Sequence, residues 1–142
     1  MIEQSRYTVT QELKSVGTSE VKPTPAIPWT FGKQTEFNGH KVIDTERKIS
    51  YNNGMRIVLT GSRGIAGPGK LSVLLYSGKG DTADTLINTY GPYDAAALGG
   101  VEYLAFPPGS YTGCSFQIAF KADQAAATAF TAGTVTATLE MD

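Results

Sequence analysis

At 142 residues with a formal net charge of -1, the chain is long enough to bury a core without disulfides or metals, and it lacks the basic footprint of a protein that binds nucleic acid or an anionic membrane. One cysteine, Cys114, excludes an internal disulfide framework and a cysteine-cluster zinc site, and no apolar run approaches the roughly 20 residues of a bilayer span. Sixteen glycines, seven prolines and only 18% charged residues describe short strands joined by tight turns, so an all-β fold is predicted.

The chain opens on "MIEQSRYTVTQ", which has neither a basic nor an apolar export region, so no Sec export is expected and the protein is expected to remain at first where it is made. Residues 7–10 read as one strand. Residues 1–48 hold 13 of the 25 charged residues, a third of the chain carrying half of the charge. Within them Pro23, Pro25 and Pro28 each lack an amide donor and fix φ, which predicts extended, polyproline-like chain rather than sheet interior. Residues 1–41 are therefore predicted to form an extended arm, and 42–142 a β-sandwich domain. Trp29 and Phe31 follow the prolines, and large aromatics with little core of their own need a cover. Tyr7, Pro23, Pro25, Pro28, Trp29 and Phe31 are the candidate protein-binding residues of this arm.

From residue 42 onward, strands are predicted at 42–44, 48–51, 55–60, 71–77, 86–90, 101–106, 114–121 and 133–141, enough for two sheets. Asn53-Gly54 is a hairpin signal, because a type I′ turn needs positive φ at both central residues. Pro107, Pro108 and Gly109 give a second turn. The only helix-like piece is "YDAAALGG" at 93–100. In the final strand Thr134, Thr136, Thr138 and Glu140 alternate with Val135, Ala137, Leu139 and Met141, which predicts an antiparallel strand with one wet and one buried face.

The residues that suggest chemistry do not assemble into a reaction centre. "GIAGPGKL" matches a phosphate-binding loop as far as Lys70, then places Leu71 where a magnesium-ligating hydroxyl belongs, and an alternating segment where a helix belongs. A glycine-rich turn is expected. His40, the single histidine, lies in a polar junction without a glycine-flanked nucleophilic serine, and Cys114 at a strand start reads as core packing. Asp81, Asp84 and Asp94 lack the spacing of a calcium loop and read as polar tips. Tyr76, Tyr90, Tyr93, Tyr103 and Tyr111 fit either a sugar-binding platform or ordinary sheet packing. No catalytic, cofactor or metal site is predicted.

"VIDTERKISYNNGMRIVLT" (42–60), "FPPGSYTGCSFQIAF" (106–120) and "FTAGTVTATLEMD" (130–142) together resemble the capsid cement, or decoration, proteins of tailed bacteriophages, in particular the jelly-roll type of some podoviruses. The resemblance covers about 42–142 and rests on strand patterns. It implies a jelly-roll-like sandwich without an active site or cofactor, made in the host bacterial cytoplasm and carried on the outer surface of the virion. There it would bind the major capsid protein as a homo-dimer or homo-trimer and clamp neighbouring capsid subunits; no nucleic acid or membrane partner is expected. A carbohydrate- or receptor-binding module of a phage fibre would use the same architecture and is the alternative.

Overall fold

Period-two alternation turns into strand throughout the computed structural model, which describes residues 5–20, 29–30, 35–37, 40–42, 48–49, 55–61, 64–79, 83–98, 101–105, 107, 109–110 and 114–141. In chain order the elements are β1 (Ser5–Glu12), a 3-10 turn (Leu13–Ser15), β2 (Trp29–Thr30), β3 (Thr35–Phe37), β4 (His40–Val42), β5 (Lys48–Ile49), β6 (Met55–Gly61) and β7 (Lys70–Lys79). They continue with β8 (Thr85–Asp94), α1 (Ala95–Leu98), β9 (Val101–Ala105), β10 (Gly109–Ser110), β11 (Cys114–Ala122), α2 (Ala126–Ala129) and β12 (Thr134–Met141). Two four-stranded antiparallel sheets carry the fold: β1-β12-β6-β9 and β2-β11-β7-β8. If their eight strands are numbered along the chain, the two orders are 1-8-3-6 and 2-7-4-5.

Alternation also decides what is inside. Val135, Ala137 and Leu139 of β12 are fully buried beside Ile57 and Leu59 of β6 and Val9 of β1. Leu71, Val73 and Leu75 of β7 and Phe116, Ile118 and Phe120 of β11 join them in a single apolar cluster. The two sheets therefore pack face to face, and the fold is the predicted all-β antiparallel sandwich. Thr136 and Thr138 sit half-exposed on the opposite side of β12.

Two expectations change. An arm over 1–41 with a domain over 42–142 does not describe residues 5–17. β1 pairs with β12 without a break from Ser5↔Met141 to Glu12↔Thr134, and Leu13 and Val16, just beyond it, are fully buried. Val9, Leu13 and Val16 supply the apolar row that docks this segment, while its charge falls on exposed positions such as Glu12 and Lys14. The hairpin predicted at Asn53-Gly54, residues that lie outside those described, does not join its flanking strands. β5 pairs with β10, whereas β6 is flanked by β12 and β9 from Arg56 to Thr60. A central strand with both sides occupied has no edge left for β5.

The helix-like piece at 93–100 contains α1, whose start is capped by Asp94, its Oδ1 accepting the Ala97 amide at 2.8 Å. The turn predicted at Pro107 to Gly109 lies partly outside the described residues; Gly109 begins β10.

Candidate interaction surfaces

The glycine-rich "GIAGPGKL" motif is a structural latch. β7 begins at Lys70, so a strand, not a helix, follows the glycines, and there is no helix N-terminus to hold a phosphate. The loop instead packs on the end of α2 and the segment after it: the Gly69 amide donates to the Ala129 carbonyl at 2.8 Å, the Thr131 amide to the Ala66 carbonyl at 2.9 Å, and the Ala66 amide to the Ala132 carbonyl at 3.2 Å. Glycine is required for that approach. A Cβ on Gly69 would lie 2.6 Å from Ala129 Cα and Cβ, and Gly67, at φ +134°, turns against the Ala129 carbonyl. Lys70 is held by its backbone, its amide donating to Asp123 Oδ1 at 2.8 Å.

The other chemistry-bearing residues are dispersed. His40 pairs with Phe37 in the small β3-β4 ladder, and Cys114 opens β11 opposite Lys79. Asp84 accepts from Thr85 Oγ1 at 3.3 Å, Asp94 caps α1, and Asp81 lies outside the described residues. Among the described residues no three His, Cys, Asp or Glu side chains converge as a metal site would need. The described tyrosines do not share a platform. Tyr90 spans the sheets, its hydroxyl donating to the Ala105 carbonyl of β9 at 2.7 Å, and Tyr93 packs on the core. Tyr76 is buried on the outer face of the second sheet and Tyr103 is 62% exposed; Tyr111 lies outside the described residues.

The candidate arm residues are split between the two sheets. Tyr7 sits in β1 opposite Leu139, and Trp29 in β2 opposite Phe116; Pro23, Pro25, Pro28 and Phe31 lie outside the described residues. Gly17, Glu20 and Trp29 each contact the second sheet of their own sandwich. The Ala122 amide donates to the Gly17 carbonyl at 2.8 Å, Tyr76 hydrogen-bonds Glu20, and Trp29 pairs with Phe116. Burial, and then the hydrogen bond to Glu20 and its negative charge, push the Tyr76 phenol up to about 12. Leu74 and Ala119 are buried beside Tyr76, and a groove of about 310 Å³ runs past them, lined by Glu20, Leu74, Leu86, Thr89, Pro92 and Lys121.

The outer face of the first sheet has a different character. Thr8 and Thr138 Oγ1 atoms lie 3.1 Å apart, as do those of Thr10 and Thr136, so cross-strand hydroxyl rungs join β1 to β12. On the other two strands, β6 and β9, the Arg56 guanidinium stands 4.9 Å from the centroid of the Tyr103 ring. The result is a surface of hydroxyls with an exposed aromatic and a cation at one side. Alternation marked Thr136 and Thr138 as facing away from the core; the assembly of this surface from four strands had no signal in the sequence.

No family model, no curated protein and no solved structure matches this chain.

Proposed function

We propose that this chain is a structural virion protein of the cement type, which binds the outer surface of a phage capsid and stabilises contacts between major capsid subunits. The observation that carries the reading is the outer face of the first sheet, an adhesive surface built from the Thr8–Thr138 and Thr10–Thr136 rungs and the Arg56–Tyr103 stack. Threonine hydroxyls both donate and accept, and tyrosine and arginine are the side chains on which protein interfaces most often concentrate their binding energy. Three further supports are the strand patterns at 42–60, 106–120 and 130–142, the low net charge, and the orders 1-8-3-6 and 2-7-4-5, which are those of a jelly roll.

Mechanism on this reading is area and multiplicity rather than bond-making. A homo-dimer or homo-trimer that touches several capsid subunits gains effective concentration, so its avidity exceeds a single contact by about 10²- to 10⁴-fold. No cofactor, nucleic acid or membrane takes part.

Co-sedimentation with capsids of the encoding phage tests the proposal. The protein is expected to bind mature shells and not unexpanded precursors, with Tyr103→Ala weakening binding at least about tenfold and His40→Ala and Cys114→Ala leaving it within a few-fold. Failure to bind mature shells, or binding indifferent to Tyr103→Ala, overturns it. The 62% exposure of Tyr103 also favours the alternative, a carbohydrate-binding module, because an open ring flanked by hydroxyls suits stacking against a sugar. Saturable glycan binding lost in Tyr103→Ala, without capsid binding, would establish that alternative.

A further inference from the structure

We propose that β1 is the interface of an isologous homodimer, in which two copies pair their β1 edges antiparallel about Val9 and merge their first sheets into one eight-stranded sheet. The inference specifies the oligomer of the cement reading but does not depend on a capsid.

The edges of the sandwich are treated unequally. On the second sheet, β8 pairs with β7 through two register shifts, between Leu71 and Val73 and between Leu75 and Tyr76, and it contains Pro92, which has no amide to donate; β2 is two residues long. On the first sheet, the β9 edge is clasped by Tyr90, which bonds the Ala105 carbonyl. These are the usual ways in which an exposed strand is kept from pairing. β1 has such a clasp only at its last residue, Glu12. It is eight residues of unbroken register without proline, and among the described residues it has one ladder neighbour.

Its outward groups follow from its inward ones. The Leu13 amide donates to the Gly133 carbonyl at 2.9 Å, in line with the β1–β12 register, so the odd residues of β1 address β12 and the even ones address the open edge. Arg6, Thr8, Thr10 and Glu12 therefore present their amides and carbonyls outward. If a second β1 is laid antiparallel with Val9 opposite Val9, Thr8 faces Thr10 and Arg6 faces Glu12 of the second copy, twice over. Like pairs with unlike at both ends, and each existing rung is extended by another threonine. A register centred on Thr8 leaves Glu12 without Arg6, and one centred on Thr10 sets Arg6 against Lys14. The Glu12 carbonyl already accepts from Ser15 Oγ at 2.8 Å and Gln11 Nε2 at 3.3 Å, so the backbone ladder between copies is confined to Thr8 and Thr10.

Two solution measurements without capsids decide the matter. On the unmodified chain, amide exchange at Thr8 and Thr10 is expected to slow as concentration rises, in step with a monomer-to-dimer shift in sedimentation. Fast exchange at every concentration, or a monomer throughout, overturns the proposal. In the second measurement, Arg6→Glu and Glu12→Arg should each weaken the dimer at least about tenfold, while an equimolar mixture of the two recovers a heterodimer, because every facing pair is then opposite in sign. Recovery that fails with both variants folded by circular dichroism also overturns it. Absence of a dimer leaves capsid attachment to its own assay.

Discussion

Leu13→Ala asks whether the first seventeen residues belong to the core. Leu13 is fully buried, in one cluster with Val9, Val16 and the inward rows of both sheets, and its amide is bonded to Gly133. Removing three carbons from such a site costs the transfer free energy of those atoms and leaves a cavity, about 2–5 kcal/mol in total. Set against a typical domain stability of about 5–15 kcal/mol, that is a large fraction. For a domain of this size it should lower Tm by roughly 6–20 °C. Urea unfolding followed by circular dichroism would read the loss as a lower midpoint at unchanged slope. Lys14→Ala is the control: the neighbouring side chain is exposed, so a change within about 0.5 kcal/mol is expected. If Leu13→Ala and Lys14→Ala unfold alike, the segment is not part of the core and the β1–β12 pairing is mistaken.

Gly69→Ala should be the costlier of two glycine substitutions, because its Cβ would meet Ala129 at 2.6 Å, whereas a Cβ on Gly64, at φ +80°, meets nothing within 4 Å and bears only backbone strain of about 1–2 kcal/mol. Thermal melts that rank them the other way would refute the latch. Tyr76 should ionise late, visible as a step near pH 12 in ultraviolet titration that is missing in Tyr76→Phe. Its raised pKa keeps the folded state protonated while the unfolded state ionises near 10, so stability is fully present below pH 10 and falls between pH 10 and about 12.

β6, β7, β11 and β12 were legible because each follows a glycine and runs for seven or more strand-forming residues, which leaves little choice of element. β1 was half legible. "YTVT" alternates, but its partner is β12, over a hundred residues away, and nothing local announces that pairing; the prolines at 23, 25 and 28 point to an arm instead. Asn53-Gly54 misled in the opposite sense, since a turn signal specifies a bend and cannot say which strand waits beyond it. α2, four residues within "DQAAATAF", is too short for helical periodicity to appear. The candidate surface was legible only residue by residue: alternation places Thr136 outward and Leu139 inward, but only topology brings Thr10, Thr136 and Arg56 onto one face. The latch is the reverse case, in which the glycines were conspicuous while their purpose depended on where Ala129 lies.

Because β12 lies between β1 and β6, those two strands cannot find their places until a segment far along the chain threads between them. The Thr10–Thr136 rung closes a loop of 126 residues. Loop closure on that scale carries an entropic cost that no local contact offsets in advance, so refolding should fall in the millisecond-to-second regime of non-local β-proteins. During that delay β6 lacks its β12 neighbour, and the buried row Ile57 and Leu59 is without the flank that Ala137 and Leu139 supply. The hazard for this protein is thus kinetic: high yield from denaturant calls for dilution and low temperature, conditions that let the closing strand arrive before two chains find each other.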